Sequence, residues 1–266
     1  RDRTRHDPGA GTSLRYNITD DLLVKASYEY ATRLPRPDEV FGNGVLIQAN
    51  LELVPEVSHN GNFGLLFDAR RNRTLGNLFA ELNSFIRDSD RLIVLLGNDR
   101  SFTHQNVYRA RALGLEAEIR WTLPARWLSL NADGMWIDQR NASPEGPFGD
   151  FVGDRIPNRP WLQASWGAKL RFGGFPSSDD TLEPFYNGRY VASFFRGWES
   201  QGLRAFKQVV DDQLTHSVGV TWVVRRAFAR STATLEVDNL TDARVFDNFG
   251  VQRPGRGFFV KFTAHL

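Results

Sequence analysis

Residues 113–121 read Leu-Gly-Leu-Glu-Ala-Glu-Ile-Arg-Trp. In an extended chain successive side chains point to opposite faces, so Leu113, Leu115, Ala117 and Ile119 share one surface while Gly114, Glu116, Glu118 and Arg120 share the other. Such a segment is a strand lying between two unlike environments. The pattern repeats on both sides of it. Leu22, Val24, Ala26, Tyr28 and Tyr30 oppose Lys25, Ser27 and Glu29, and Leu128, Leu130, Ala132 and Trp136 oppose Ser129, Asn131 and Asp133. Leu162, Ala164, Trp166, Ala168 and Leu170 oppose Gln163, Ser165, Lys169 and Arg171; Val218, Val220, Trp222 and Val224 oppose Ser217, Gly219 and Thr221. The stretch from Gly257 alternates as far as Leu266. No stretch of helical period competes, and counting the runs gives about 11 strands.

The connections alternate in length. Thr19–Asp21, Arg70–Thr74, Leu123–Arg126, Gly173–Asp180 and Arg225–Arg230 are short, whereas 34–57, 89–103, 141–159, 197–211 and 241–255 exceed usual hairpin loops. Strands joined this way run antiparallel and gather the long loops at one end. Trp121 and Trp127 bracket a short turn, Trp161 opens a strand and Phe172 closes one. Rings at strand ends suit a membrane–water boundary. A small soluble barrel would need an apolar interior; here the charged face must be a wet lumen and the apolar face must meet lipid. The expected fold is all-β, an antiparallel transmembrane β-barrel. An odd set of strands leaves two open edges, and unpaired backbone groups in hydrocarbon cost several kcal/mol each, so a partner sheet is expected. Because the chain opens Arg1-Asp2-Arg3-Thr4-Arg5 and its single methionine is Met135, it reads as part of a longer polypeptide whose upstream portion supplies that sheet.

Composition narrows the function classes. The 266 residues are 41% hydrophobic and 24% charged, with 33 basic against 31 acidic residues and a net charge of +2. That balance does not make a nucleic-acid clamp, so no nucleic acid is expected as a partner. The absence of cysteine removes disulfide scaffolds, thiolate zinc sites and thiol catalysis. The longest aliphatic run, Leu92–Leu96, falls far short of the roughly 20 residues of a spanning helix. No nucleophile elbow, H-E-x-x-H helix, phosphate loop or dinucleotide fingerprint occurs, and His6, His59, His104, His216 and His265 are scattered. Neither an enzyme nor a resident metal or cofactor is expected. Glu116 and Glu118 share a face and read as hydrated wall, not as a catalytic dyad.

Four segments, taken in order, carry a resemblance. Tyr30–Phe41 (Tyr-Ala-Thr-Arg-Leu-Pro-Arg-Pro-Asp-Glu-Val-Phe) is similar to a strand end followed by an R-x-P-x-x-x-E-L turn. Asn50–Asn60 (Asn-Leu-Glu-Leu-Val-Pro-Glu-Val-Ser-His-Asn) resembles an N-P-x-L-K-P-E-x-S-x-N strand entrance, with Leu51 and Val54 replacing the usual proline and lysine. Gly114–Glu118 resembles a G-x-E-x-E strand. Asn239-Leu240-Thr241-Asp242, then Pro254-Gly255-Arg256 and the closing strand, resemble a carboxy-terminal signature in which Leu266 stands where an aromatic residue is usual. Together they look like the carboxy-terminal half of a TonB-dependent outer-membrane receptor. The resemblance implies a barrel of about 22 strands around an amino-terminal plug, with residues 1–266 supplying about 11 strands and neither plug nor first barrel half. It further implies ligand-gated import across the outer membrane. The partners it implies are the TonB complex, acting through the missing amino-terminal part, a metal chelate, cobalamin or glycan as ligand, outer-membrane lipid and lipopolysaccharide, and the barrel assembly machinery. The rival readings are a passive porin, which needs no plug, and a soluble β-rich sugar-binding module.

Ligand capture is expected in the long loops. Arg91, Arg100 and His104 bound one; Phe148, Phe151, Arg155 and Arg159 lie in another; Arg196, Trp198, Arg204, Phe206 and Lys207 crowd a third. Guanidinium forks suit carboxylate or catecholate oxygens, and aromatic faces add stacking area. Arg91, Arg100, Arg155, Arg159, Arg196, Trp198 and Arg204 are therefore the candidate contacts for an anionic, partly aromatic chelate. The blander alternative has these arginines pairing with Asp99, Asp150, Asp154, Asp211 and Asp212, or with lipopolysaccharide phosphates.

Overall fold

The computed structural model describes residues 8–97, 101–201, 208–226, 229–247 and 251–265. Within them the alternating segments become strands β1 (Ala10–Asn17), β2 (Leu22–Arg33), β3 (Ile47–Gln48), β4 (Glu56–Asn72), β5 (Gly76–Gly97), β6 (Phe102–Thr122), β7 (Leu128–Asn141), β8 (Leu162–Leu170), β9 (Phe172–Gly173), β10 (Thr181–Val191), β11 (Phe194–Phe195), β12 (Val209–Val210), β13 (Gln213–Arg226), β14 (Ala229–Asp238) and β15 (Gly257–His265). A single short helix, α1 (Pro37–Phe41), precedes β3. Eleven strands form one antiparallel wall in the order β1-β2-β4-β5-β6-β7-β8-β10-β13-β14-β15. β3 pairs in parallel with β6, β9 pairs with β10, and β11 and β12 make a separate pair among the loops. β1 and β15 stand at opposite ends of the order, so the wall is an open sheet.

The ladder register aligns the apolar faces. Leu22, Phe67, Ala80, Ile119, Ala132 and Trp166 lie on one rung across β2, β4, β5, β6, β7 and β8. The aligned apolar positions run over nine residues of a strand (113–121 in β6, 128–136 in β7), the length of a tilted transmembrane β-strand. Among the described residues nothing packs over this face, and Leu65, Leu82, Leu115, Ile119, Leu235 and Val260 are exposed. A soluble sandwich would turn such faces toward each other; a single layer with an uncovered apolar belt has lipid as its only suitable neighbour.

Two elements depart from the sequence expectation. Residues 89–103, expected as a long loop, are mostly ladder: β5 continues to Gly97 and β6 resumes at Phe102. The reason is tertiary, because Leu92, Val94 and Leu96 are buried with Val107, Ala110, Ile156 and Trp198 in a cluster at the loop end. The second departure is α1. Pro37 lies in its first turn, where its missing N–H costs nothing, and the Glu39 carboxylate accepts the Arg36 N–H at 2.8 Å. At the opposite end, Asn72 Oδ1 accepts the N–H groups of Thr74 and Leu75 at 2.9 Å each. Gly76 then turns at φ 79°, where a Cβ would fall 2.2 Å from the Thr122 carbonyl oxygen.

The facing of β6 sets an expected outcome. In the full-length protein, Leu115→Arg should cost about 2–4 kcal/mol of barrel stability, whereas Glu116→Gln on the opposite face should change it by less than about 0.5 kcal/mol. Equilibrium refolding into lipid bilayers against urea measures both.

Candidate functional site: the lumenal wall and its outer rim

Two prolines, Pro35 and Pro37, stop ladder pairing just beyond β2, and the charged residues around them close on each other. The Arg33 guanidinium donates from Nη1 to both Glu39 oxygens at 3.0 and 2.8 Å, and from Nε and Nη2 to Glu56 Oε2 at 3.3 and 3.0 Å. Glu39 and Glu56 are only 3% and 6% exposed. Glu56 also accepts the Ile93 N–H at 3.3 Å, which joins the entrance of β4 to the outer extension of β5. Arg33 and Glu39 belong to the first motif segment and Glu56 to the second, so the two motifs are halves of one clasp. Asn106 completes the rim: its side-chain amide bonds both backbone groups of Val54, at 3.0 Å each, and donates to the Arg91 carbonyl at 2.7 Å. Burial is the largest single influence on Glu39 and raises its pKa. The Arg36 N–H and the Arg33 guanidinium together outweigh it and hold the group below its ordinary value of 4.5.

A second assembly ties two long loops together. Trp198 is 5% exposed, stacks on Phe151 with ring centroids 5.2 Å apart and planes 5° from parallel, and meets Phe148 at 5.9 Å. The Arg155 N–H donates to Glu199 Oε1 at 3.0 Å, and the Asn158 N–H to the Phe195 carbonyl at 2.8 Å. This aromatic core roofs the extended ends of β5 and β6.

Below the rim the polar face forms a trough. Glu81, Glu118, Asp133, Ser165 and Arg189 share one rung across five strands. With Glu116, Met135 and Gln163 they line a cavity of about 570 Å³. A neighbouring cavity of about 330 Å³ shares Met135 and Gln163 and reaches Asn158 and Arg159 under the loops. A smaller one of about 80 Å³ shares Gln163 and Arg189 and adds Phe246 and Arg253. Charge changes along this path. Lys25 pairs with Glu81, and Ser165 Oγ donates to Asp133 at 2.6 Å, in the acidic lower part. Toward the rim Arg87 donates to Asn60 Oδ1 at 2.7 Å. Arg159 faces the open trough, yet the crowding wall is the largest influence on its pKa and lowers it; Glu56 raises it, while Arg87 and Arg33 lower it further. Arg87 and Arg159, at the outer end of the trough, make no ion pair among the described residues, so an anion entering there meets unpaired guanidinium charge.

Of the candidate ligand contacts, Arg159 alone among the described residues lines the trough. Arg155 stands beside Asp138, Nε to Oδ1 3.4 Å, with its guanidinium 5.6 Å from the Trp161 ring. Arg196 donates to Gln208 Oε1 at 3.0 Å and lies 5.4 Å from the Phe102 ring. Arg91 takes φ 58° and contributes its carbonyl to Asn106. Trp198 is the buried centre of the loop core. Arg100 and Arg204 lie outside the described residues. Arg87, Gln163 and Arg189 come from wall strands, not loops; their place on the polar side of the alternation is the signal that marks them.

The family model described as TonB dependent receptor-like, beta-barrel matches residues 2–240. The chain is also similar to solved structures. The copper transporter OprC aligns with a TM-score of 0.69 at 20% identity, over 95% of this chain and 38% of its own. The ferric citrate transporter FecA aligns with 0.69 at 16%, over 97% and 38%. A mutant of the ferric enterobactin receptor PfeA from Pseudomonas aeruginosa aligns with 0.64 at 17%, over 96% and 39%. At these identities the likeness is one of fold, and the chain spans about two fifths of the length of these neighbours. A comparison with curated proteins returned no match.

Arg33→Ala, which leaves buried Glu56 without its cation and Glu39 with only the 3.4 Å contact from Arg36, should loosen the rim by about 1–3 kcal/mol. Because the Glu39 pKa is depressed by folding, its contribution is fully present above 4.5 and is lost as pH falls through the lower folded value. Amide protection factors across 34–56 in the full-length protein, referred to the intrinsic exchange rate at each pH, should therefore fall on acidification below that point, and less so in Glu39→Gln. Trp198→Ala should cost the loop core about 3–5 kcal/mol and expose 142–161 to proteolytic nicking.

Proposed function

The chain belongs to the TonB-dependent receptor-like β-barrel family, and from that membership we propose that it forms the carboxy-terminal wall of an outer-membrane importer of a scarce ligand, an anionic ferric chelate foremost, energised through TonB. In this reading the rest of the polypeptide supplies the strands that pair with the free edges of β1 and β15, together with a plug that occupies the lumen. The observation that carries the proposal is the trough: a polar wall open to the long loops, with Arg87, Arg159 and Arg189 on the lumenal side and no carboxylate within ion-pair distance of them among the described residues. Two of the similar structures, FecA and PfeA, are named for ferric citrate and ferric enterobactin. OprC is named for copper.

Uptake of radiolabelled iron by cells expressing the full-length protein under iron limitation tests it. Uptake that requires tonB and stops on deletion of the gene is expected. Iron uptake unchanged by deletion would remove the ferric ligand, and uncoupled single-channel conductance would favour a passive channel. Within the same assay, Arg159→Gln should weaken ligand binding about 10-fold or more, the worth of a charge-assisted hydrogen bond, without loss of the barrel.

A further inference from the structure

The register of β7 with β8 sets Met135 opposite Gln163, and continued outward it would set Gln139 opposite Arg159. The chain departs from it. Ile137 still donates to the Trp161 carbonyl at 2.8 Å, but the Ile156 N–H donates to the Gln139 carbonyl at 2.9 Å and Arg140 bridges to Arg155. Residues 157–160, Pro-Asn-Arg-Pro, therefore lie opposite Asp138 alone and stand out of the ladder as a bulge. Both prolines lack the N–H that pairing would need. Asn158 takes φ 59°, a left-handed conformation that asparagine tolerates better than most side chains.

Asn158 is only 6% exposed and fastens the bulge in two directions. Its N–H donates to the Phe195 carbonyl at 2.8 Å, in β11 beyond the end of β10, and its Nδ2 to the Leu95 carbonyl at 3.0 Å, in the outer extension of β5. Its Oδ1 is buried without a partner among the described residues, a cost to folding that an apolar side chain would not carry, so stability alone does not account for the amide. The Arg159 guanidinium, one residue on, has no hydrogen bond or ion pair among the described residues; its backbone alone directs it into the trough. Leu95, Met135, Ile137, Pro157 and Pro160 line the cavity beneath it. Met135 and Ile137 stand on the face of β7 that Ser129, Asn131 and Asp133 otherwise make polar. Beside an apolar floor the field of a guanidinium is screened less than in open water, so where the group stands matters more to an entering anion.

We propose that Asn158 is the positioning residue of the ligand site: by tying the bulge to β5 and to β11, it holds Arg159 where the imported anion binds. The inference rests on the import reading given above and deepens it. Two prolines and a buried amide fix the short segment before ligand arrives, so little backbone freedom is lost on binding.

The test is uptake of radiolabelled iron, supplied as ferric enterobactin or as ferric citrate, by cells that lack other outer-membrane iron receptors and express the full-length protein. Asn158→Gly, which keeps the left-handed backbone and removes the tie to Leu95, is compared with Arg159→Gln and with the double variant. Asn158→Gly should raise the half-saturating concentration about 5–10-fold with the maximal rate and the amount of receptor in the membrane unchanged, and should add nothing in the Arg159→Gln background. An equal rise in both backgrounds, or a fall in maximal rate at unchanged half-saturation, would make Asn158 a part of the loop structure only and overturn the proposal. Wild-type uptake by Asn158→Gly, with Arg159→Gln impaired, would overturn it and leave the import reading standing. Lack of tonB-dependent uptake of either chelate would remove the import reading and this inference with it.

Discussion

A chain crossing hydrocarbon must pair every backbone N–H and C=O within its own sheet, and that requirement shapes everything else in this molecule. It dictates long strands joined to their sequence neighbours, and it leaves β1 and β15 as the two free edges of the wall. It also assigns the side chains. With the backbone satisfied, the face turned to lipid need only be apolar, as in Leu113 to Trp121, while the other face is free to carry glutamate, arginine and asparagine. A wall of this kind has no core between layers, so its largest buried cluster lies at one end, where loops fold over the extended tips of β5 and β6.

Chemistry collects where the ladder leaves the membrane. Arg33, Glu39 and Glu56 close the rim beside β2 and β4, Trp198 and Phe151 lock two loops into one body, and the trough below passes from guanidinium to carboxylate. On the other side, Asp88 and Asp138 pair with Arg109 and Arg140 just beyond the apolar belt. The same strands therefore present one charged surface to the lumen and another to the bilayer boundary, separated by the thickness of the sheet.

Period-two alternation was enough to read the wall, because burial of one face by lipid writes itself into every second residue of each strand. It failed at 89–103, where Ser89, Asp90 and Asn98 look like loop residues although Leu92–Leu96 pair with β6 throughout. It failed at α1, since five residues are too few to display a helical period. The motifs around Pro35 and Pro55 were legible as strand ends; that Arg33 reaches from one to the other was not, for that is a contact across the sheet. The candidate site was legible only in part. Loop composition pointed to Arg155 and Trp198, which the structure places against Asp138 and Phe151, while Arg87 and Arg189 stood in plain strands. Alternation says which face a residue takes, but the rung that joins Glu81 to Arg189 exists only once register is known.

Nitroxide scanning of residues 113–121 in the full-length protein reconstituted in bilayers asks most directly which side of the wall meets lipid. Oxygen should broaden labels at 113, 115, 117 and 119, and a water-soluble nickel chelate those at 114, 116, 118 and 120. Nickel contact at both sets, or oxygen contact at the second, would mean that the apolar belt does not face hydrocarbon.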